Sequence, residues 1–148
     1  MTWMLSAFSD EVSPSIDQQI EALNANGIRH IDPRSVDGHN IASLPVDEAK
    51  AVQAKLADAG IAVNMFGSPL GKIDLEDPFE PELAKLDHLA KMAEVFDCRR
   101  VRIFSYHNKQ GKPADTWQTV ALERLGALKA RAQELDLKLN GRITGRTF

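Results

Sequence analysis

One junction recurs along this chain, and it leaves few folds open. Leu23-Asn24-Ala25-Asn26-Gly27-Ile28 and Leu56-Ala57-Asp58-Ala59-Gly60-Ile61 share it: a helix end, a glycine, then the start of an apolar run. Glycine suits that corner because it takes a left-handed backbone at no steric cost. Asp97 and Asp136 stand at the matching corners of the next two units, where aspartate is tolerated less well. Positions 27, 60, 97 and 136 are 33, 37 and 39 residues apart, the length of one strand, one crossover helix and two loops. Four such units in series predict a parallel sheet with helices outside it.

Apolar periodicity places the elements. Met4 to Phe8 reads as strand one. A helix then starts at Ser13, with Pro14 as its first residue, or at Ser15, whose spacing to Gln18 forms a competing capping box. Ile16, Ile20 and Leu23 share its inner face. Ile28 to Arg34 is the second strand region, ended or bulged by Pro33, and Ser35 to Asn40 is loop. Pro45 to Ala59 is a helix that turns Val46, Ala49, Val52 and Leu56 inward. Ile61 to Phe66, short and mostly apolar, is strand three, and Gly67-Ser68-Pro69-Leu70-Gly71-Lys72 must turn away from it. Asp74 to Pro81 is an acidic, solvated loop. Glu82 to Phe96 is the third helix and Arg100 to Phe104 strand four. Thr116 to Leu135 is the fourth helix, with Val120, Leu122, Leu125, Leu128 and Ala132 inward. Leu137 to Leu139 opens a fifth strand, and Asn140 to Phe148 carries no pattern.

Composition excludes several classes of function. The 148 residues suit one domain, and 43% hydrophobic with 26% charged residues is ordinary for a soluble chain. A net charge of -3 gives no footprint for nucleic acid or an anionic membrane. The single cysteine, Cys98, rules out a disulfide framework and reads as a buried apolar residue. No apolar run approaches a membrane span, and the N-terminus lacks the pattern of a signal peptide, so a cytoplasmic protein is expected. Two architectures fit the units: an open doubly wound sheet, and a (β/α)8 barrel, which takes about 250 residues. No phosphate-binding glycine motif follows strand one, which speaks against the first.

Six stretches tip the balance. Phe8-Ser9-Asp10-Glu11, Gly27-Ile28-Arg29-His30-Ile31, Arg34-Ser35-Val36-Asp37-Gly38, Gly67 to Lys72, Asp77-Pro78-Phe79-Glu80-Pro81 and Arg102-Ile103-Phe104-Ser105 together resemble the sugar phosphate isomerase/epimerase family. That family has the xylose isomerase-like TIM-barrel fold and is related to endonuclease IV. The similarity runs from about Leu5 to Leu139. It implies an α/β fold, a partial (β/α)8 TIM barrel of about four βα units with a parallel sheet. Residues 1–139 would be its N-terminal half and 140–148 an irregular tail. Members of the family are about twice as long. Their strand two commonly ends Glu-Leu-Arg, where this chain has Asp32-Pro33-Arg34. Their first metal-binding glutamate lies in a Leu-Glu-Asn-Glu-like run, where this chain reads Asn140-Gly141-Arg142-Ile143-Thr144. Loss of one G from GAG-AAT-C would turn Glu-Asn into Arg-Ile, so the tail is read as frameshifted.

The resemblance implies metal-dependent isomerisation or epimerisation of a small sugar or polyol. A divalent metal, Mn or Mg, would polarise the substrate oxygens while a carboxylate moves a proton. The family's metal ligands belong mostly to later strands, so this chain alone is not expected to bind the ion. Ligands of parallel α/β sheets gather beyond the carboxyl ends of the strands. There, Asp32 is the candidate base, its alternative being an ion pair with Arg34 or Arg102. Arg34, Ser68, Lys72, Ser105 and His107 are the candidate substrate-binding residues. Asp10 and Glu11 lie beyond strand one, while Trp3 and Trp117 are expected to pack. No nucleic-acid or membrane partner is expected. The alternative function is a non-catalytic half-barrel that self-associates, as a homodimer, through open sheet edges.

Overall fold

The computed structural model describes residues 3–141. Strands β1 (Ser6–Ala7), β2 (His30–Ile31) and β5 (Ala62–Val63) pair in parallel in that order. Strands β6 (Arg100–Ile103) and β7 (Lys138–Gly141) form a second parallel ladder. The parallel bridge Phe66↔Val101 joins the two, with Phe66 N–H donating to Arg100 O at 2.9 Å and Arg102 N–H to Phe66 O at 3.0 Å. The order β1-β2-β5-β6-β7 is therefore the order along the chain. Between them lie α1 (Ile16–Ala25), α2 (Val46–Asp58), α3 (Glu80–Phe96) and α4 (Ala114–Glu134). Helix α1 packs on α2, α2 on α3, and α3 on α4. A doubly wound sheet would reverse its strand order and divide its helices between two faces. Sequential strands with sequentially packed helices are the barrel arrangement.

The corners behave as their residues predict. Gly27 and Gly60 both have φ of 67°, and Asp97 and Asp136 follow at 50° and 54°. Strand two ends short of Pro33, but Pro33 O still accepts from Gly67 N–H at 2.8 Å. Ile31 O accepts from Asn64 N–H at 2.9 Å, so three steps on one strand oppose two on the other. This is a bulge, and it turns Phe66 to face β6.

Several expectations need correction. Ser35 to Asn40 is a small antiparallel hairpin of β3 (Ser35–Val36) and β4 (His39–Asn40), closed by Asp37 and Gly38 with φ of 47° and 85°. An Asp-Gly pair is the residue choice for a two-residue turn with positive φ at both positions. Helix α1 follows Ser15, yet neither serine caps it; Asp37 Oδ1, from the hairpin, accepts from Ile16 N–H at 2.9 Å. On α4 the buried positions are Ala121, Leu128 and Ala132, whereas Leu122 is 60% exposed. Trp3 is 83% exposed rather than packed. The last strand runs on through Asn140 and Gly141, and residues 142–148, with the frameshift reading placed on them, lie outside the described residues.

Alternation along the strands separates two faces. Ala7, Ile31, Val63, Val101, Ile103 and Leu139 turn toward the helices and belong to, or pack on, one hydrophobic core. The residues between them share the other face: Ser6, His30, Asp32, Asn64, Arg100, Arg102, Lys138 and Asn140. This second face is open; Ala62, Arg100, Lys138 and Asn140 are exposed on it.

Candidate functional site

Asp32 is the hub of the open face. It follows β2 directly, and its neighbours on β1 and on the extension of β5 reach it from both sides. Ser6 Oγ and Asn64 Nδ2 each donate to Asp32 Oδ1 at 2.8 Å, and Arg100 Nη2 donates to Asn64 Oδ1. One polar chain thus crosses four adjacent strands. Asp32 as a whole is 8% exposed, and its Oδ2, which has no hydrogen-bond partner among the described residues, is not among the buried unpartnered atoms. A carboxylate with one oxygen fixed by two donors and the other free is held in orientation without being used up. Arg34, one of the two ion-pair partners weighed for it from the sequence, is instead engaged by Asp10.

Arg34 reaches the other way. Its Nε donates to Asp10 Oδ2 at 2.7 Å and its Nη2 to Glu11 at 3.5 Å, and the bond to Asp10 chiefly raises the pKa of its guanidinium. Asp10 Oδ1 is buried with no hydrogen-bond partner. Arg34 lies 5.7 Å from the centroid of the Phe8 ring. Arg102 sits between two rings, 4.9 Å from Phe8 and 4.8 Å from Phe104, with Nη2 donating to the carbonyls of Gly67 and Ser68 at 3.1 and 3.3 Å. Lys72 Nζ lies 5.9 Å from the Phe104 ring. Three cations and two aromatic rings therefore interleave at the carboxyl ends of the strands. Gly67 allows this stacking, because a Cβ there would stand 2.9 Å from Phe8 Cε1.

The loop after β5 is a rigid wall. Ser68 is fully buried, its hydroxyl donating to Arg102 O and accepting from Leu70 N–H, so it serves this wall and has no access to the mouth. Gly71 has φ of 75°, and a Cβ on it would lie 2.1 Å from Phe104 O. Its N–H donates to Glu82 Oε2 at 2.7 Å, and Lys85 Nζ donates to Glu82 Oε1 at 2.7 Å. Glu82, read from the sequence as loop charge at a helix start, is fully buried. The chain beyond β6 runs beside this loop through Phe104, Tyr106 and His107 N–H groups, which donate to Leu70, Gly71 and Ile73 carbonyls. Tyr106 has φ of 70°, and its buried hydroxyl has no partner. Burial, then the negative charge of Glu82, push that phenol up to about 12. Asp74 accepts from Lys109 and Glu76 N–H at 2.7 and 3.1 Å, which hold its carboxyl below the usual range. Cys98 is buried, and burial raises its thiol pKa.

Of the six candidates, Asp32 alone holds the middle of the open face. Arg34 and Lys72 flank the aromatic cluster at the mouth, and Ser68 is inside the wall. Ser105 is half-buried and His107 exposed, and among the described residues neither side chain has a hydrogen-bond partner. Ser6, Asn64 and Arg100 were missed. The signal for two of them was present: Asn64 interrupts an apolar run, and Arg100 alternates with Val101. Among the described residues no three His, Cys, Asp or Glu side chains stand together as metal ligands. One carboxylate beside a hydroxyl and an amide does not fit a divalent-metal site.

No family model matches the sequence, and no curated protein does. The fold is similar to that of D-psicose 3-epimerase, in a crystal structure obtained in the presence of D-fructose. The TM-score is 0.62 and the identity 17%, over 90% of this chain and 50% of that one. The chain spans about half the length of that enzyme, and the likeness shows its fold: half of a TIM barrel, whose interior the open face would line. Among the described residues no helix is long and apolar enough to cross a membrane.

Proposed function

We propose that this chain supplies the Asp32 side of a sugar- or polyol-binding site of isomerase or epimerase type. The observation that carries the reading is the Ser6–Asp32–Asn64–Arg100 chain, which leaves one carboxylate oxygen free on the face that lines the barrel interior. That oxygen can accept a proton from a carbon beside a carbonyl and return it to the neighbouring carbon. One base on one face suits transfer between adjacent carbons of a ketose and an aldose. Epimerisation needs, in addition, a second proton donor on the opposite side of the substrate. The fold likeness to a sugar epimerase supports the substrate class.

The test is solvent exchange. With a panel of ketoses in D₂O, proton NMR should show loss of the C–H signal beside the carbonyl. Asp32→Asn should abolish the exchange while the fold persists by circular dichroism. Exchange that survives Asp32→Asn would reject the assignment.

A second reading is self-association without turnover. What favours it is the free edge of β1, preceded by Trp3, Met4 and Leu5 at 83%, 56% and 66% exposure. An unpaired strand beside exposed apolar side chains is a template for pairing. Light scattering after size exclusion would show a dimer that Leu5→Asp dissociates.

A further inference from the structure

Toward the amino ends of β6 and β7 the open face carries a pair of cations, one of which, Arg100, also ends the polar chain from Asp32. Arg100 and Lys138 are register partners on β6 and β7, and both are exposed. They line a cleft of about 280 Å³ with Asn64, Asp97, Cys98 and Arg99. Arg99 is committed to Glu94 at 2.7 Å and to Asp136 at 4.0 Å. Arg100 gives one N–H to Asn64 Oδ1, which fixes its plane and leaves its other donors available. The Lys138 ammonium meets no acceptor among the described residues. Asp97 is the one carboxylate on the wall, and it forms an ion pair with neither cation.

Like charges on neighbouring strands repel. Here two stand side by side, over a cleft wide enough for a small ion and beside an amide that holds one of them still. An oxyanion between them would turn the repulsion into two charge-assisted contacts. We propose that the cleft at the amino ends of β6 and β7 binds a phosphate-class oxyanion through the Arg100 guanidinium and the Lys138 ammonium. The ion is either free phosphate or the phosphate end of an ester, and the chemistry of recognition is the same for both.

Calorimetric titration of the full chain at low ionic strength decides it, with inorganic phosphate in one arm and glycerol phosphate in the other. Both should bind, and tighter binding of the ester would name it as the source. Lys138→Gln, which breaks no hydrogen bond or ion pair among the described residues, should weaken binding tenfold or more. Arg99→Gln should leave it within twofold. Asp32→Asn should still bind phosphate, so this inference and the isomerase reading fail separately. Absence of heat in both arms, or equal binding by Lys138→Gln, overturns the proposal. So would a dimer that Lys138→Gln disrupts without any phosphate binding, because the pair would then answer an acidic protein surface.

Discussion

Neighbouring residues of the same strands lead opposite lives in this molecule. His30 and Ile31 make up β2; one lies on the open face, and the other is fully buried against the helices. Arg100 and Val101, and Lys138 and Leu139, repeat the division on β6 and β7. The helix side is built from Ala, Ile, Val and Leu. The open side is built from Ser, His, Asp, Asn, Arg and Lys. The contrast teaches that the fold rests on one face alone. The other face is free to be polar. Exposed apolar side chains gather instead just before β1, at Trp3, Met4 and Leu5.

The sharpest way to break this comparison is to truncate both residues of β2. Ile31→Ala removes a fully buried side chain and should cost about 2–5 kcal/mol. His30→Ala, one residue away, should change stability by no more than about 0.5 kcal/mol. Urea unfolding midpoints would report both. Comparable losses at the two positions would mean that the open face is packed, and the division would collapse.

Two carboxylates carry the same contrast to the mouth of the sheet. Glu82 lies on the helix side with both oxygens engaged, by Gly71 N–H and Lys85 Nζ. Asp32 lies on the open side with one oxygen engaged. An amide at position 82 must turn its NH₂ toward one of those two donors, so Glu82→Gln should cost about 1–3 kcal/mol. An amide at position 32 can keep its oxygen on Ser6 and Asn64 and point its NH₂ at solvent. Asp32→Asn should therefore unfold within about 1 kcal/mol of the parent. Were Asp32→Asn the costlier change, Asp32 would be a structural residue and its place in the proposed reaction would be lost.

What the sequence disclosed follows from the range of the forces involved. The corners at Gly27, Gly60, Asp97 and Asp136 were legible because a left-handed backbone is a local demand that few residues meet. The helices were legible for a similar reason, since an apolar stripe declares its own inner face. Leu122 shows the limit: its spacing fits the stripe of α4, yet Ala121 is the residue that the core accepts. Only the neighbouring helix determines which edge of a broad stripe is covered. The Asp37-Gly38 pair could have signalled a hairpin where the sequence reads as loop, but its role as the cap of α1 joins positions 21 residues apart. The site was the least legible part. Asp32 was found as a lone carboxylate at a strand end. Its partners Ser6, Asn64 and Arg100 come from three other strands, and only register brings them together. Glu82 was hidden because nothing in an acidic stretch marks which acid a glycine N–H will bury.

The smallest expected effect tests the open face most directly. Arg100 and Lys138 face each other across the β6–β7 ladder, and among the described residues no carboxylate pairs with either. Such a pair costs stability on the scale of about 0.2–1 kcal/mol. Lys138→Gln should therefore raise the urea midpoint slightly at low salt. The gain should vanish near 1 M salt, where screening shortens the reach of charge to about 3 Å. A substitution within the core can only remove packing, so a stabilising change belongs to the open face. If Lys138→Gln instead destabilises the chain at low salt, the lysine is holding the fold together. The cation pair would then be part of the scaffold, and its repulsion could not be the reason for an anion to sit there.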